Sequence, residues 1–327
     1  MRAIWYEKYG PADEVLIYGE LEKPEVGPDE VRIRLHASGA NPSDFKARLG
    51  GRGEMVWPKI IPHSDGAGVV DKVGSSVGSF AEGDRVWVFN AQWQRPMGTA
   101  CEFVVLPERQ VVPLPENVSF EEGACLAIPA MTAHLGLFLG RSLKDKVVLV
   151  IGGAGAVGNY GIQLAKWAGA KVITTISSDE KAAIALKVGA DDVVNYKNNP
   201  TITEEILDMT SGQGVDQILD VDFGENLPVT KQVLKENGVI AAYGSTRVPE
   251  PEFAWYDMMR KNYTIRMIYM YSVPDRDALK ACEDIVRSCE EYPLVHQIGS
   301  VFPLEDTVSA HKKMEKFENT GNVVVKI

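Results

Sequence analysis

The stretch from residue 147 to residue 158 constrains this chain more than any other. Five apolar residues in a row, VVLVI at 147–151, run directly into a turn in which Gly153, Gly155 and Gly158 are spaced G-x-G-x-x-G. A continuous apolar run of this length predicts a strand covered on both faces, as in a parallel sheet. A helix-like stretch, 159–168, follows the turn. Strand and helix patterns then alternate: strand 171–176, helix 179–188, strand 192–196, helix 203–209, strand 217–221, a helical segment at 228–236, strand 238–244 and a last strand at 263–271. That rhythm predicts an α/β fold with a doubly wound parallel sheet.

A glycine string alone is weak evidence, but strand, glycine turn and helix together are the context in which it carries chemistry. The first glycine allows the tight turn, the second lets the backbone approach a pyrophosphate, and the third lets helix pack on strand. N–H groups at the helix start then bind phosphate. Gly153, Ala154, Gly155, Ala156, Val157 and Gly158 are therefore read as a dinucleotide-binding turn. The tip of the next strand distinguishes the two nicotinamide dinucleotides. An NAD site places Asp or Glu there, against the ribose 2′-hydroxyl. Here the tip is Thr174-Thr175-Ile176-Ser177-Ser178, followed by Lys181, and small hydroxyls with a cation suit a 2′-phosphate. Asp179 and Glu180 are the objection, and as first residues of the next helix they are expected to face solvent. The expectation is NADPH, with Ser177 and Lys181 at the phosphate. Tyr243, Gly244 and Ser245 end the fifth strand, at the sheet edge where ligands bind.

The chain before this region reads differently. Short runs rich in Val, Ile and aromatics recur at 3–6, 31–36, 68–73, 85–89 and 102–106, punctuated by Gly, Pro and Asp, and predict a mostly antiparallel β-domain. Residues 121–139 read as helix despite Pro129. After residue 271 come a helix at 275–290 and a strand at 323–327 that returns to the first domain. At 327 residues the chain is long enough for two domains. A formal charge of −11 lacks the electrostatic footprint of a nucleic-acid binder. The four cysteines, Cys101, Cys125, Cys282 and Cys289, include no C-x-x-C pair and are read as reduced thiols. No signal peptide and no membrane-spanning run is apparent, so the expected location is the cytoplasm.

With these features in hand, the sequence resembles the medium-chain dehydrogenase/reductase superfamily, and within it the zinc-free NADPH:quinone oxidoreductase (zeta-crystallin-like) branch. GANPSDFKARLG at 39–50, PHSDGAGVV at 62–70, the segment Val77-x-x-Phe80-x-x-Gly83-Asp84-Arg85-Val86 and LVIGGAGAVGNYGIQLAK at 149–166 carry the resemblance. Ala156 departs from it, since the branch has a second consecutive glycine there; alanine fits if φ is negative. The resemblance implies a GroES-like catalytic domain of 1–118 plus 272–327, a Rossmann domain of 119–271, a nicotinamide held between them, and a homodimer or homotetramer. It also implies that Asn41 sits near the nicotinamide and the acceptor, with a turn role in Asn41-Pro42 as the alternative. Asp44 and Lys46 follow in the same loop as cleft candidates. Tyr196 would lie against the adenosine ribose phosphate, or be an ordinary exposed strand-end tyrosine. Met270, Tyr271 and Ser272 would line the nicotinamide end. Asn322 is neutral where the family often has a basic residue.

Zinc enzymes of this superfamily hold their metal through Cys, His and a third ligand. Here the Cys position is Asn41 and the ligand His position is Ser64, with His63 one residue off and so pointing the other way in an extended segment. His63 is expected as a hydrogen-bonded surface or cleft residue, and the site is expected to be metal-free. Without a Lewis acid, acceptors that delocalise charge are favoured. Trp93 is a candidate wall for a flat substrate, whereas Trp87 and Phe89 read as core. The expected activity is NADPH-dependent reduction of a quinone. An NADPH-dependent reductase of enones, alkenals or enoyl thioesters is the second reading. A non-catalytic NADPH- or nucleic-acid-binding protein is the reading from another class.

Overall fold

A computed structural model describes every residue except Leu139, Asn198 and Glu318. The chain divides into two compact units. The first comprises Met1–Ile128, Cys282–Glu291 and His296–Ile327, the second Pro129–Ala281 and Tyr292–Val295.

The second unit is built on six parallel strands in the order Asp192–Asn195, Lys171–Ile176, Val147–Val150, Val215–Asp220, Leu234–Ala242, Thr264–Met267. The order reverses beside Val147–Val150, the point at which open α/β sheets bind ligands. Register aligns one aliphatic side chain from each of five adjacent strands: Ile173, Leu149, Ile218, Ile240 and Ile265. The first four are fully buried. Each such side chain contributes about 1.5–3 kcal/mol on leaving water. On the opposite face Gln217 stands between Val148 and Val239. Its Nε2 donates to Gly136 O at 2.8 Å and Leu137 O at 3.0 Å, satisfying carbonyls at the end of the helix Thr132–Leu137.

The first unit centres on a seven-stranded sheet whose long strand, Glu30–Ala40, pairs antiparallel with Asp65–Val73, Phe103–Pro107 and Asn322–Lys326. Alternate residues Val31, Ile33, Leu35 and Ala37 point into the core. A separate two-stranded sheet pairs Arg2–Trp5 with Ile17–Glu20.

Three expected elements differ. The helix read over 121–139 is three pieces: Phe120–Gly123, a wide π-turn at Leu126–Met131, and Thr132–Leu137, with Leu139 outside the described residues. Pro129 sits inside the π-turn, where its missing N–H removes an ordinary α-helical bond. The segment read as helical at 228–236 belongs to Phe223–Val233, which contains Pro228 in its middle, and Leu234 already begins a strand. The last strand, read over 263–271, stops at Met267, because its neighbour ends at Ala242 and, among the described residues, no further strand pairs with it. Met270–Ser272 is a 3₁₀ turn instead. Among the described residues no helix is long and apolar enough to cross a membrane.

Candidate functional site

In the second unit the glycine turn sits at the carboxyl end of Val147–Val150. The left-handed residue is Gly152, at φ 78°, rather than Gly153. The turn is pinned to the next strand: Gly152 N–H donates to Thr175 Oγ1 at 3.0 Å and Gly153 N–H to Thr175 O at 3.2 Å. Gly153 has a packing role, since a Cβ there would lie 2.2 Å from Thr174 Oγ1. Gly158 is equally constrained, with a Cβ 2.2 Å from Gly152 O. Gly155 is exposed and is the N-cap of the helix Ala156–Trp167. It brings no side chain, so the N–H groups of Ala156, Val157 and Gly158 head the helix without a side-chain cap. That arrangement suits an anion at the helix start. Ala156 is the first helical residue and has no positive φ, so its side chain is accommodated.

At the neighbouring strand end, Lys181 Nζ donates to Ser177 Oγ at 3.0 Å. Ser178 caps the helix Asp179–Lys187, and Asp179 and Glu180 lie exposed in its first turn. Thr174 and Thr175 are buried and engaged with the turn, which leaves Ser177 as the accessible hydroxyl of that strand end. Tyr196 N–H donates to Ile176 O at 3.0 Å, so Tyr196 shares this edge, with 42% of its surface exposed. The described geometry thus brings Gly155, Ser177, Lys181 and Tyr196 to one sheet edge.

Tyr243–Ser245 lie further along it. Tyr243 N–H donates to Asp220 O, and burial with the nearby Asp220 carboxylate raises the tyrosine pKa. The Ser245 hydroxyl accepts from Gly224 N–H at 3.0 Å and donates to Val248 O, so it is engaged within its own loop. Met270 and Tyr271 are buried and Ser272 is exposed. Sequence reasoning passed over Asp220, whose buried carboxylate accepts from Asp222 N–H and Asn226 Nδ2, and Asp222, which anchors Thr246 N–H at 2.7 Å.

In the first unit Asn41 is the N-cap of the helix Pro42–Arg48, with Pro42 at its first position. Its N–H donates to Asp44 Oδ2 at 2.7 Å, and its Nδ2 donates to Asp65 Oδ2 at 2.8 Å. Asn41, Asp44 and Asp65 are all buried. Asp65 Oδ2 also accepts from Ile128 N–H at 3.0 Å. The second oxygen of each carboxyl, Asp44 Oδ1 and Asp65 Oδ1, is buried without a partner. Burial pushes Asp44 up to about 7, partly opposed by the Asn41 N–H. Burial, with the Asp44 charge, holds Asp65 well above the usual carboxylate range. Lys46 is exposed on the same helix, and Trp93 is half-buried with the Arg52 guanidinium 5.4 Å from its ring.

His63 is fully buried, not on a surface. At φ 74° its backbone is left-handed, so the rule for extended segments does not apply. It belongs to a hydrogen-bond chain whose direction can be worked out. Arg48 Nε donates to His311 Nδ1 at 3.3 Å, so neutral His311 donates through Nε2 to His63 Nε2 at 3.0 Å. His63 Nδ1 then donates to Ser38 Oγ at 2.8 Å, Ser38 to Thr99 Oγ1 at 2.7 Å, and Thr99 to Asp65 O at 2.5 Å. Burial drives the His63 pKa down to about 3 and that of His311 well below its usual value, which keeps both rings neutral. Arg48 itself is buried and pairs with Glu315 and Gly10 O. Asn322 is also structural: its Nδ2 donates to Gln297 O at 3.0 Å. Among the described residues, no group of three or more His, Cys, Asp or Glu is arranged to hold a metal ion.

Comparison with known proteins agrees with both units. Residues 27–116 match the alcohol dehydrogenase GroES-like domain and residues 156–286 the zinc-binding dehydrogenase model. The quinone oxidoreductase of Rattus norvegicus is 30% identical over 95% of this chain and 93% of its own. A solved NAD-dependent alcohol dehydrogenase superposes with a TM-score of 0.89 at 30% identity, covering both chains completely. A mycobacterial protein solved in complex with NADPH gives 0.87 at 26% identity, again over both whole chains. With a Rossmann-type sheet, a GroES-like domain and relatives of this similarity over nearly its full length, this chain is an oxidoreductase of the medium-chain dehydrogenase/reductase family.

Proposed function

We propose that the protein is an NADPH-dependent quinone oxidoreductase working without a metal. The observation that carries the cofactor choice is the Ser177–Lys181 pair at the strand end, with Asp179 and Glu180 turned to solvent. A hydroxyl and a cation suit a 2′-phosphate, whereas NAD sites present a carboxylate there. The alcohol dehydrogenase likeness is the argument for NAD, and the Lys181 side chain is the argument against it. Residues 119–271 hold the cofactor in this reading, and 1–118 with 272–327 receive the acceptor. Bound NADPH supplies a hydride.

The case for a metal-free reaction rests on donor chemistry. The family's Cys ligand position is Asn41, and its amide N–H is committed to Asp65. An amide nitrogen is not a zinc donor, and Ser64 is not an imidazole. An acceptor that stabilises its own negative charge, as a quinone does, then suits the site. Met270, Tyr271 and Ser272 are assigned to the nicotinamide end, and Lys46 and Trp93 to the acceptor side. The four cysteines are buried and unpaired, which fits a reducing, cytoplasmic setting. Homo-oligomer formation belongs to the same reading and is tested by light scattering.

Parallel assays of NADPH and NADH oxidation with 1,4-benzoquinone, 9,10-phenanthrenequinone and 2-alkenals test the proposal. Turnover of NADPH with quinones supports it. Preference for alkenals selects the conjugated-carbonyl reductase instead, and no oxidation with any acceptor overturns the catalytic reading.

A further inference from the structure

The helix Pro42–Arg48 starts from Asn41 and ends in a side chain that does not reach water. Arg48 pairs there with Glu315 and Gly10 O and donates through Nε to His311 Nδ1. His311 and Glu315 belong to the helix Thr307–Glu315. His63 stands two residues before Asp65, whose carboxyl holds the Asn41 amide. The contact between His63 and His311 therefore joins the far end of the Asn41 helix to the segment that fixes the Asn41 side chain. Every ring nitrogen of the pair is engaged: His311 accepts at Nδ1 and donates at Nε2, while His63 accepts at Nε2 and donates at Nδ1. Such a chain has no place for another proton. A proton on His63 Nε2 makes it a donor, which His311 can accept only by carrying its own proton on Nδ1, against the Arg48 N–H. A proton added to His311 creates that clash directly and sets a second cation beside the buried guanidinium.

We propose that His63 and His311 are positioning residues that form an acid-released latch, holding the helix Pro42–Arg48, and with it Asn41, while both rings are neutral and freeing it when they take up protons. The value of a fixed Asn41 to the reaction rests on the quinone reductase reading, whereas the latch does not depend on it. Opening separates the helix Pro42–Arg48 from the helix Thr307–Glu315 and gives both rings access to water.

The charged and titratable groups around the latch fix the direction of its response. Arg48 faces His311 and opposes a charge on it. Glu315, Tyr6 and Asp13 face Arg48, and Asp13 is itself paired with Lys312 at 2.7 Å. Burial and these neighbours keep protons off both rings in the closed form. In the open form each ring regains its ordinary value of 6.5. The closed form is therefore fully favoured above that value and loses ground as pH falls below it. With two rings taking up a proton each, the equilibrium should move toward opening by about 100-fold per pH unit below about pH 6.

Hydrogen exchange of the full chain without cofactor or acceptor, between about pH 7 and pH 5, tests the latch once the intrinsic pH dependence of exchange is divided out. Residues 42–48 and 307–315 should lose protection together, by about 100-fold per pH unit below about pH 6, while strand Val147–Val150 keeps its protection. Gln offers one acceptor and one donor and does not titrate. His311→Gln should reduce the slope to about tenfold per unit, and His63→Gln with His311→Gln should abolish it. Three results overturn the latch: constant protection of these helices in the wild type, a loss that strand 147–150 shares, or an unchanged slope in the double variant. The first two are read on the wild type and decide even if a variant fails to fold. Kinetics with NADPH and 1,4-benzoquinone test the positioning role. His63→Leu breaks the chain and should lower kcat by about tenfold or more at an unchanged KM for NADPH, with His63→Gln restoring most of it. Equal kcat in wild type and His63→Leu overturns that role. Wild-type protein inactive with every quinone sinks the quinone reading, while the exchange experiment still decides the latch.

Discussion

Replacing Asp44 by Asn should change how stability depends on pH. A carboxyl raised to about 7 in the folded chain binds more protons folded than unfolded, where it titrates near 3.8. Its contribution to stability is therefore fully present below about pH 4 and is lost as pH rises through about 7. Across that window one extra proton is held by the folded state, a slope of about 1.4 kcal/mol per pH unit. Over roughly three units the loss is on the order of 4 kcal/mol. Asn is uncharged at every pH, and its Oδ1 can still accept the Asn41 N–H now bound by Asp44 at 2.7 Å. Urea unfolding of the two proteins between pH 5 and pH 8 measures the difference. Tryptophan fluorescence is a suitable probe, since Trp5, Trp57, Trp87 and Trp93, four of the six tryptophans, lie in the first unit. Asp44→Asn should gain on the wild type steadily as pH rises, most of the gain appearing below pH 7. Parallel curves would refute the reasoning, because the Asp44 carboxyl would then be as easily ionised folded as unfolded.

Lys181→Ala should raise the KM for NADPH by tenfold or more and leave that for NADH nearly unchanged, as read from initial rates with both cofactors. Gly158→Ala places a methyl 2.2 Å from Gly152 O, so the turn must open; NADPH affinity measured by fluorescence titration should fall at least 100-fold, with a drop in Tm.

The second unit was the more legible in sequence because its signals are local. Continuous apolar runs, a glycine turn and regular alternation need no partner to be recognised. Its misread places are those where the backbone departs from a standard period: the π-turn around Pro129, and Pro228 inside a helix rather than at its start. At the glycine turn the roles of the glycines fall differently from the sequence expectation, because positive φ falls on Gly152 and leaves Gly153 to pack against Thr174. The first unit hides more. The helix Pro42–Arg48 was legible in principle, as Asn-Pro-Ser-Asp combines an N-cap, proline at the first position and an acid at the third. His63 was not, since neither its left-handed backbone nor its bond to His311, 248 residues away, leaves a local trace. The orphaned carboxyl oxygens of Asp44 and Asp65 likewise exist only once three distant segments have packed together.

The order of segments along the chain has a consequence for biosynthesis. Strand Asn322–Lys326 fits between Ile298–Pro303 and Glu30–Ala40, bonding to Ala37–Ala40. During translation, residues 30–40 emerge long before that partner, and the whole parallel sheet of the second unit is made in the interval. Glu30–Arg34 can pair early with Phe103–Pro107, but a nascent chain leaves Ala37–Ala40 of its longest antiparallel strand unpaired on that side while later residues are still being added, a species prone to mispairing with neighbouring chains. The parallel sheet has no such delay, so it can mature first, and the antiparallel sheet can close only when residues 322–326 arrive.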